Sequence, residues 1–381
     1  MQQVPVLIIG ASVSGLACAA SLQKKGIGYV IIEKENQTAM PWRTHYERLH
    51  LHTNKSLSHL PYKSFGNAVP RYPSRRQVVD YLEQYQQVFG INPMLNTEAI
   101  SVTKENGYWI TETNNDVFQS NYTIVATGAF SKPKAVHLAG METFPGKIMH
   151  SCQYKTGRDF TGKKVLVVGF GNSACEIAID LHEQQAMPSM SVRSAVNIVP
   201  RDIMGMPVLQ LSLLMKQLPS KLADTLNAPL IRWLVGDIKK WGLQKLPYGP
   251  MEQIERTGTV PVLDIGIVKL IRDGNVKIYN EIDHIDHETV HFADGRKERF
   301  DAIVAGIGYY RDYASVIKVD KKRFDDLQLS TRKQKYFGED GLYFCGFCIA
   351  PTGQFREISL DAIRIASSIA ARLSAPDKRA R

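Results

Sequence analysis

One short pattern occurs twice in this chain: an apolar run, a glycine-rich turn and the start of a helix. Val4-Pro5-Val6-Leu7-Ile8-Ile9 leads into Gly10-Ala11-Ser12-Val13-Ser14-Gly15. A nearly continuous apolar run of this kind is a strand buried on both faces, as in a parallel sheet. The glycines allow a tight turn and a close approach to a pyrophosphate at the next helix N-terminus. A helical pattern follows over 14–25, and 29–33 reads as a second strand ending on Glu33. In mid-chain, Lys164-Val165-Leu166-Val167-Val168 leads into Gly169-Phe170-Gly171-Asn172-Ser173-Ala174, with a helix expected over 172–181 and a strand over 189–193. Two such starts imply two Rossmann-like dinucleotide-binding domains, and 381 residues are enough for both.

The two units differ where their second strands end. Glu33, with Lys34 beside it, closes the first, and a carboxylate there accepts hydrogen bonds from ribose hydroxyls. Ser12 replaces the usual second glycine, so the pyrophosphate must tolerate a hydroxymethyl group. Arg193-Ser194 stands at the corresponding place in the second unit. A guanidinium pairs bidentately with phosphate and suits a 2′-phosphate better than a bare hydroxyl. The first site is therefore expected to take FAD through Gly10, Ser12, Ser14, Gly15, Glu33 and Lys34. The second is expected to prefer NADPH over NADH, through Gly169, Gly171, Asn172, Ser173, Ala174, Arg193 and Ser194, with Arg201 as a further cation.

Between the two signatures, 107–113 and 117–126 read as β-structure closing on Ala126-Thr127-Gly128. After the second, 290–292, Gly295 and 301–304 repeat a hairpin and strand. A strand over 341–346 and a helix over 359–373 follow. The expected class is α/β, with the NADPH domain inserted into the FAD domain: 1–158 and 289–381 for FAD, 159–288 for NADPH. Within the latter, a helical apolar insertion near 203–250 reads as two amphipathic helices with basic flanks. Their apolar face is expected to cover the second domain or a homodimer partner, or to make a peripheral membrane contact.

Composition narrows the class. Hydrophobic residues at 44% and charged residues at 22% suit a globular enzyme rather than a disordered chain. The net charge of +10 favours anionic ligands such as nucleotides. No basic run is interleaved with aromatics and no finger or helix-turn-helix spacing occurs, so nucleic acid is not expected. Five cysteines are too few and odd for a secreted disulfide framework, and the first strand begins at once, without a signal peptide. The expected location is the cytoplasm, with no transmembrane segment.

A third signature precedes the second glycine turn. Phe144-Pro145-Gly146-Lys147-Ile148-Met149-His150-Ser151-Cys152-Gln153-Tyr154 has the form F-x-G-x-x-x-H-x-x-x-Y. It resembles the fingerprint of class B flavin monooxygenases, and Tyr154 is closer to the flavin-containing branch than to the Baeyer–Villiger one. Arg48-Leu49-His50-Leu51-His52, Tyr72-Pro73-Ser74, Val192-Arg193-Ser194 and Pro261-Val262-Leu263-Asp264-Ile265-Gly266 extend the resemblance along most of the chain, to the plant YUCCA group. That group acts on indole-3-pyruvate. Thr53-Asn54 replaces its usual Leu-Pro, and Ala305-Gly306-Ile307-Gly308-Tyr309 departs from its L-A-T-G-Y. The reaction class carries over; the substrate does not.

The resemblance implies a flavoprotein oxidoreductase in which NADPH reduces FAD and O₂ then forms a C4a-(hydro)peroxyflavin. One oxygen atom would enter a small organic substrate, either a soft nitrogen or sulfur nucleophile or a carbonyl or α-keto acid. It further implies FAD contacts at Trp42, Arg43, Thr127, Gly128 and Gly346, a catalytic position for Asn54 near the flavin ring, and a placing role for His150. Asp264 with Gly266 reads as a structural turn.

Two rivals share these cofactors. Cys345-Gly346-Phe347-Cys348 has the C-x-x-C form of a dithiol pair. It would suit an NAD(P)H-dependent flavoprotein reductase or oxidase passing electrons to a disulfide, a quinone, an iron–sulfur protein or O₂. Cys345, however, lies in the strand ending at Gly346, away from where dithiol reductases place their pairs. The other rival is a flavin-bearing sensor without turnover. His45, His50, His52 and His59 cluster in sequence, but no cysteine or carboxylate pair completes a metal site at the usual spacing.

Overall fold

Gln2–Ile9 forms strand β1, with Val6, Leu7, Ile8 and Ile9 buried as the apolar run requires. This is a computed structural model, and it describes residues 1–128, 130, 132–215, 217–310, 317–318, 339–347 and 352–374. The chain divides into two compact units: Met1–Thr44, Thr53–Ser131 and Arg311–Arg381 form one, His45–His52 and Lys132–Tyr310 the other.

In the first unit, β1 leads into helix α1 (Val13–Gln23), which is buried along nearly its whole length. Its Gly, Ala, Ser and Cys side chains are small enough for neighbours on every side. Strand β2 (Val30–Ile32) pairs parallel to β1. Helix α2 (Arg75–Val88) starts with a reciprocal capping box between Ser74 and Gln77 and buries Val78, Tyr81, Leu82 and Tyr85 on one face. β3 (Ala99–Glu105) and β4 (Tyr108–Thr113) form a hairpin across Asn106-Gly107, both at positive φ, the turn that matches strand twist. β5 (Val117–Val125) joins this hairpin to β1, giving the order β2-β1-β5-β4-β3. Strand Leu342–Phe344 adds parallel to the end of β5.

Helix Gln354–Ser374 packs against α1 and carries Asp361 into the interior. Burial raises the Asp361 carboxyl to about 7; Arg364 opposes the shift and Glu357 adds to it. A carboxyl that holds its proton more tightly when folded stabilises most where both states are protonated. That contribution is lost as pH rises from the ordinary carboxylate range to about 7. Asp361→Asn is expected to flatten stability against pH in urea titrations, and to gain about 2–4 kcal/mol at pH 8. An unchanged pH slope would contradict this reading.

The second unit has an all-parallel sheet. Its strands are β6 (Lys147–His150), β7 (Lys164–Val168), β8 (Met187–Ser191), β9 (Lys277–Tyr279) and β10 (Ala302–Ala305), in the order β9-β8-β7-β10-β6. Helix α3 (Asn172–Glu183) follows β7. Val165, Val167, Ile177, Leu181, Met190 and Val304 share one core. The expected α/β class and both nucleotide-binding-type folds are present, and most of the second lies in sequence between parts of the first. The expected boundaries near 158 and 289 fall inside the second unit, because β6 and β10 pair with each other and β10 with β7.

The region 203–250 contains the two expected helices, Val208–Met215 and Ser220–Val235, after a small hairpin of Asp202–Ile203 with Met206–Pro207. Among the described residues, no helix is long and apolar enough to cross a membrane.

Candidate functional site

In the first unit, register fixes which residues meet. Ile9 and Phe344 both pair with Val125, so the three strands end level. Gly10, Ala126-Thr127-Gly128 and Cys345-Gly346 therefore line one carboxyl edge, the edge at which parallel α/β sheets bind ligands. Gly10 has φ +102° and its N–H donates to the Ile32 carbonyl at 2.8 Å. A Cβ on Gly15 would lie 1.8 Å from the Gly10 oxygen, and one on Gly346 would lie 2.2 Å from Ser14 Oγ. At Gly15 the obstacle is backbone and only hydrogen fits; at Gly346 the φ of +85° itself favours glycine. Ser12 is the N-cap of α1, yet its side chain accepts none of the helix amides. The helix thus presents amide donors beside the glycine turn, a cradle suited to a pyrophosphate.

Glu33 is buried at the end of β2's extension. One carboxylate oxygen accepts the Ala11 N–H at 2.7 Å and the other the Glu35 N–H at 3.1 Å. It thereby braces the turn from behind while keeping lone pairs for a ribose. Lys34 is exposed and sits 3.8 Å from Glu35. Trp42 packs edge-on against Phe355 at 5.5 Å. The Arg43 guanidinium donates to the Thr38 carbonyl at 2.9 Å and to Glu83 at 2.6 Å, so it also anchors its own loop to α2. Thr127 is exposed, and Gly128 has φ +82°. Asn54 is buried, and its Oδ1 caps a short 3₁₀ turn by accepting from Leu57 N–H at 3.1 Å and Ser56 Oγ at 3.2 Å. Any contact it makes to a ligand falls to its amide nitrogen.

The second turn repeats the logic with different neighbours. Gly169 has φ +106°, and a Cβ on it would lie 2.7 Å from the Gly306 oxygen. A Cβ on Gly306 would lie 2.7 Å from that of Ala174, which explains the small third residue of the fingerprint. Gly171 is the N-cap of α3, with no side-chain cap and nothing within 4 Å of its Cβ position. That leaves open space at a helix N-terminus, again suited to a pyrophosphate. Ser173 lies in the first turn and is partly exposed. The Asn172 Oδ1 accepts the Leu263 N–H at 2.8 Å, so this side chain ties the turn to 261–263. Asp264 braces the turn at Gly266 that leads into the next helix, accepting from Gly266 N–H at 2.9 Å and Val268 N–H at 3.2 Å.

β8 ends at Ser191, two residues earlier than the sequence suggests, so Arg193 and Ser194 lie just beyond the strand. Both are exposed, and Arg193 sits 3.4 Å from Glu281. Arg201 pairs with Asp202 at 3.2 Å.

His150 ends β6 level with Val168 and Ala305. Its Nδ1 lies 3.2 Å from the Cys152 N–H, which only an unprotonated nitrogen can accept. Nε2 then carries the proton and donates to the Gly308 carbonyl at 3.0 Å. The ring thus pins two backbone segments.

Sequence reasoning missed a buried polar cluster behind the second turn. Glu176 on α3 is fully buried, accepts the Tyr46 hydroxyl at 2.8 Å, and meets His52 Nε2 at 3.2 Å and Arg48 at 3.5 Å. Arg48 also pairs with Glu183 through two nitrogens, at 2.7 and 2.8 Å. Asp180 accepts the Tyr154 hydroxyl at 2.6 Å and the Gly157 N–H at 2.8 Å. Burial, then Glu176, pushes the Tyr46 phenol well above its ordinary value; burial, then Asp180, does the same to Tyr154. The available signal was the spacing of 176, 180 and 183 on one face of an otherwise apolar helix.

His52 belongs to this cluster, while His50 and His59 meet the Arg48 and Leu60 carbonyls. Among the described residues, no group of histidine, cysteine and carboxylate side chains could hold a metal ion. Cys345 is fully buried against the Cys18 thiol. Cys348 lies outside the described residues.

Fold and glycine turns together define a protein with two dinucleotide-binding-type units. The pyridine nucleotide-disulphide oxidoreductase family profile matches residues 7–201. The indole-3-pyruvate monooxygenase YUCCA6 of Arabidopsis thaliana is 36% identical over 375 residues, covering 95% of this chain and 89% of that one. A flavin-containing monooxygenase from Stenotrophomonas maltophilia has the same fold, with a TM-score of 0.72 at 18% identity over 98% of this chain and 100% of that one. So does a bacillithiol disulfide reductase from Staphylococcus aureus, at 0.68 and 18%, over 98% and 99%. Fold alone therefore does not separate oxygenation from disulfide reduction; the sequence match along the whole chain does. The chain belongs to the class B flavin monooxygenases of YUCCA type, and it is an NADPH-dependent monooxygenase.

Proposed function

We propose that the first unit binds FAD, that the second binds NADPH in preference to NADH, and that the substrate is an α-keto acid bearing an aromatic ring. Indole-3-pyruvate is the first candidate. Local motifs alone, with their departures at Thr53-Asn54 and Ala305–Tyr309, do not carry the substrate over; the observation that supports this reading is the 36% identity along 95% of the chain to an indole-3-pyruvate monooxygenase. A flavin held in the first unit and reduced by the nicotinamide nucleotide would activate O₂ for this chemistry. The overall change balances as keto acid, O₂, NADPH and a proton giving the acid shorter by one carbon, CO₂, water and NADP⁺. One oxygen of O₂ enters the acid and the other leaves as water.

The chain's own residues bind and orient. The amides at the start of α1, beside Gly10, Ser12, Ser14 and Gly15, would take the FAD pyrophosphate, with Glu33 on the ribose. The backbone at Thr127, Gly128 and Gly346, with Trp42, Arg43 and Lys34, would complete that site. Gly169, Gly171, Asn172, Ser173 and Ala174 would hold the NADPH pyrophosphate, and Arg193 with Ser194 the 2′-phosphate. The Asn54 amide nitrogen would donate toward the reacting oxygen. Cys18, Cys152, Cys175 and Cys345 carry free thiols, which supports the reading of a cytoplasmic enzyme.

Arg193→Ala is expected to raise the KM for NADPH by about 10- to 100-fold, the worth of a charge-assisted phosphate contact. The KM for NADH should stay within about twofold. Steady-state assays with both nucleotides test this, and equal losses on both would assign Arg193 to the surface. Indole-3-pyruvate should accelerate NADPH-dependent release of CO₂. If it does not, while a sulfide or amine is oxygenated, the substrate assignment falls and the enzyme class stands.

A further inference from the structure

Among the described residues, helix Ser220–Val235 in the second unit is exposed along one side. Its inner side is fixed. Ala223 and Val235 are buried, and the Asp224 carboxylate accepts the N–H groups of Met251 and Glu252 at 3.0 and 2.9 Å. On the other side Leu222, Leu226, Pro229 and Trp233 recur at spacings of three and four. Leu222 is 47% exposed, Leu226 58% and Trp233 78%. A single exposed leucine is ordinary, but two leucines and a tryptophan along one helical stripe make a patch that calls for an occupant.

Charge indicates which occupant. Lys221 and Arg232 are exposed on the helix, and Lys239 and Lys240 are exposed in the next turn, Ile238–Trp241. Between 220 and 241 the acids are Asp224, which is buried, and Asp237, which is exposed, and the exposed Glu255 accepts from the Ser220 hydroxyl, so the four exposed cations outnumber two exposed acids. Self-association across a two-fold axis would bring like charges of two copies together. An acidic lipid surface would neutralise them, and tryptophan favours the boundary between headgroups and acyl chains.

We propose that this helix docks in-plane on an anionic bilayer, with Leu222, Leu226 and Trp233 at the acyl boundary and the four cations among the lipid phosphates. This docking is independent of the substrate assignment, because its test involves no turnover.

The test is flotation of the flavin-loaded protein with phosphatidylcholine vesicles, with and without phosphatidylserine. Binding is expected only with phosphatidylserine and should weaken as salt rises. Lys239→Gln and Lys240→Gln should each cost about fivefold in partitioning. Leu226→Asp should abolish flotation, and all three variants should keep the wild-type flavin spectrum. Absence of flotation with phosphatidylserine, or undiminished flotation of Leu226→Asp, overturns the proposal. So does a wild-type dimer that Leu226→Asp converts to monomer, since the stripe would then be an interface between copies of this chain.

Discussion

Gly15→Ala is expected to purify as a colourless protein, stripped of flavin and destabilised by about 3–5 kcal/mol. The reason is local. The added methyl would lie 1.8 Å from the Gly10 carbonyl oxygen and 2.9 Å from its carbon, both backbone atoms. No rotamer relieves a backbone clash, so α1 must move away from the turn or the turn must open. Either movement displaces the amides that would meet the pyrophosphate, and it disturbs a helix buried along nearly its whole length. Flavin absorbance per mole of protein and urea denaturation read the two consequences separately. A yellow protein of normal stability would show that the close approach of α1 to β1 is not needed.

Glu176→Leu is expected to cost the second unit about 3–5 kcal/mol, the penalty for breaking a buried charged cluster from one side. The leucine would leave the Tyr46 hydroxyl, His52 and Arg48 without the acceptor that now meets all of them. Glu176→Gln keeps a carbonyl acceptor for Tyr46 and should cost only about 1–2 kcal/mol. Glu176 lies one turn beyond Asn172 and Ser173, so the leucine variant should also raise the KM for NADPH. Thermal unfolding and NADPH titration of both variants test the ranking. Equal, small effects would mean that the cluster contributes little to holding α3.

Both cradles were legible in the sequence because their logic is local. An apolar run, small residues at fixed offsets and a helix start lie within about a dozen residues, and sterics allow few alternatives. The contact of Gly346 with Ser14 was not legible in the same way. It depends on Leu342–Phe344 pairing beside β5, and only the resemblance drew attention to Gly346. The acids of α3 were read past, because their partners come from residues 46–52 and 154–157, far away in sequence. The grouping of β6 with the second sheet was hidden for the same reason, since its partner is β10 at 302–305. Arg193 is singled out by analogy with Glu33, and the earlier end of β8 moves it from the strand to the turn after it. The bonds of Arg43 to Thr38 and Glu83 give it a structural task that no motif encodes.

The most direct test of the monooxygenase account is turnover of indole-3-pyruvate with NADPH under ¹⁸O₂, with mass analysis of the acid and a parallel assay of hydrogen peroxide. The account expects one labelled oxygen per molecule of acid, and NADPH consumed in near-equal amount to acid formed. Unlabelled acid, or NADPH consumed with O₂ returned as hydrogen peroxide and no labelled product from keto acids, sulfides or amines, would contradict it.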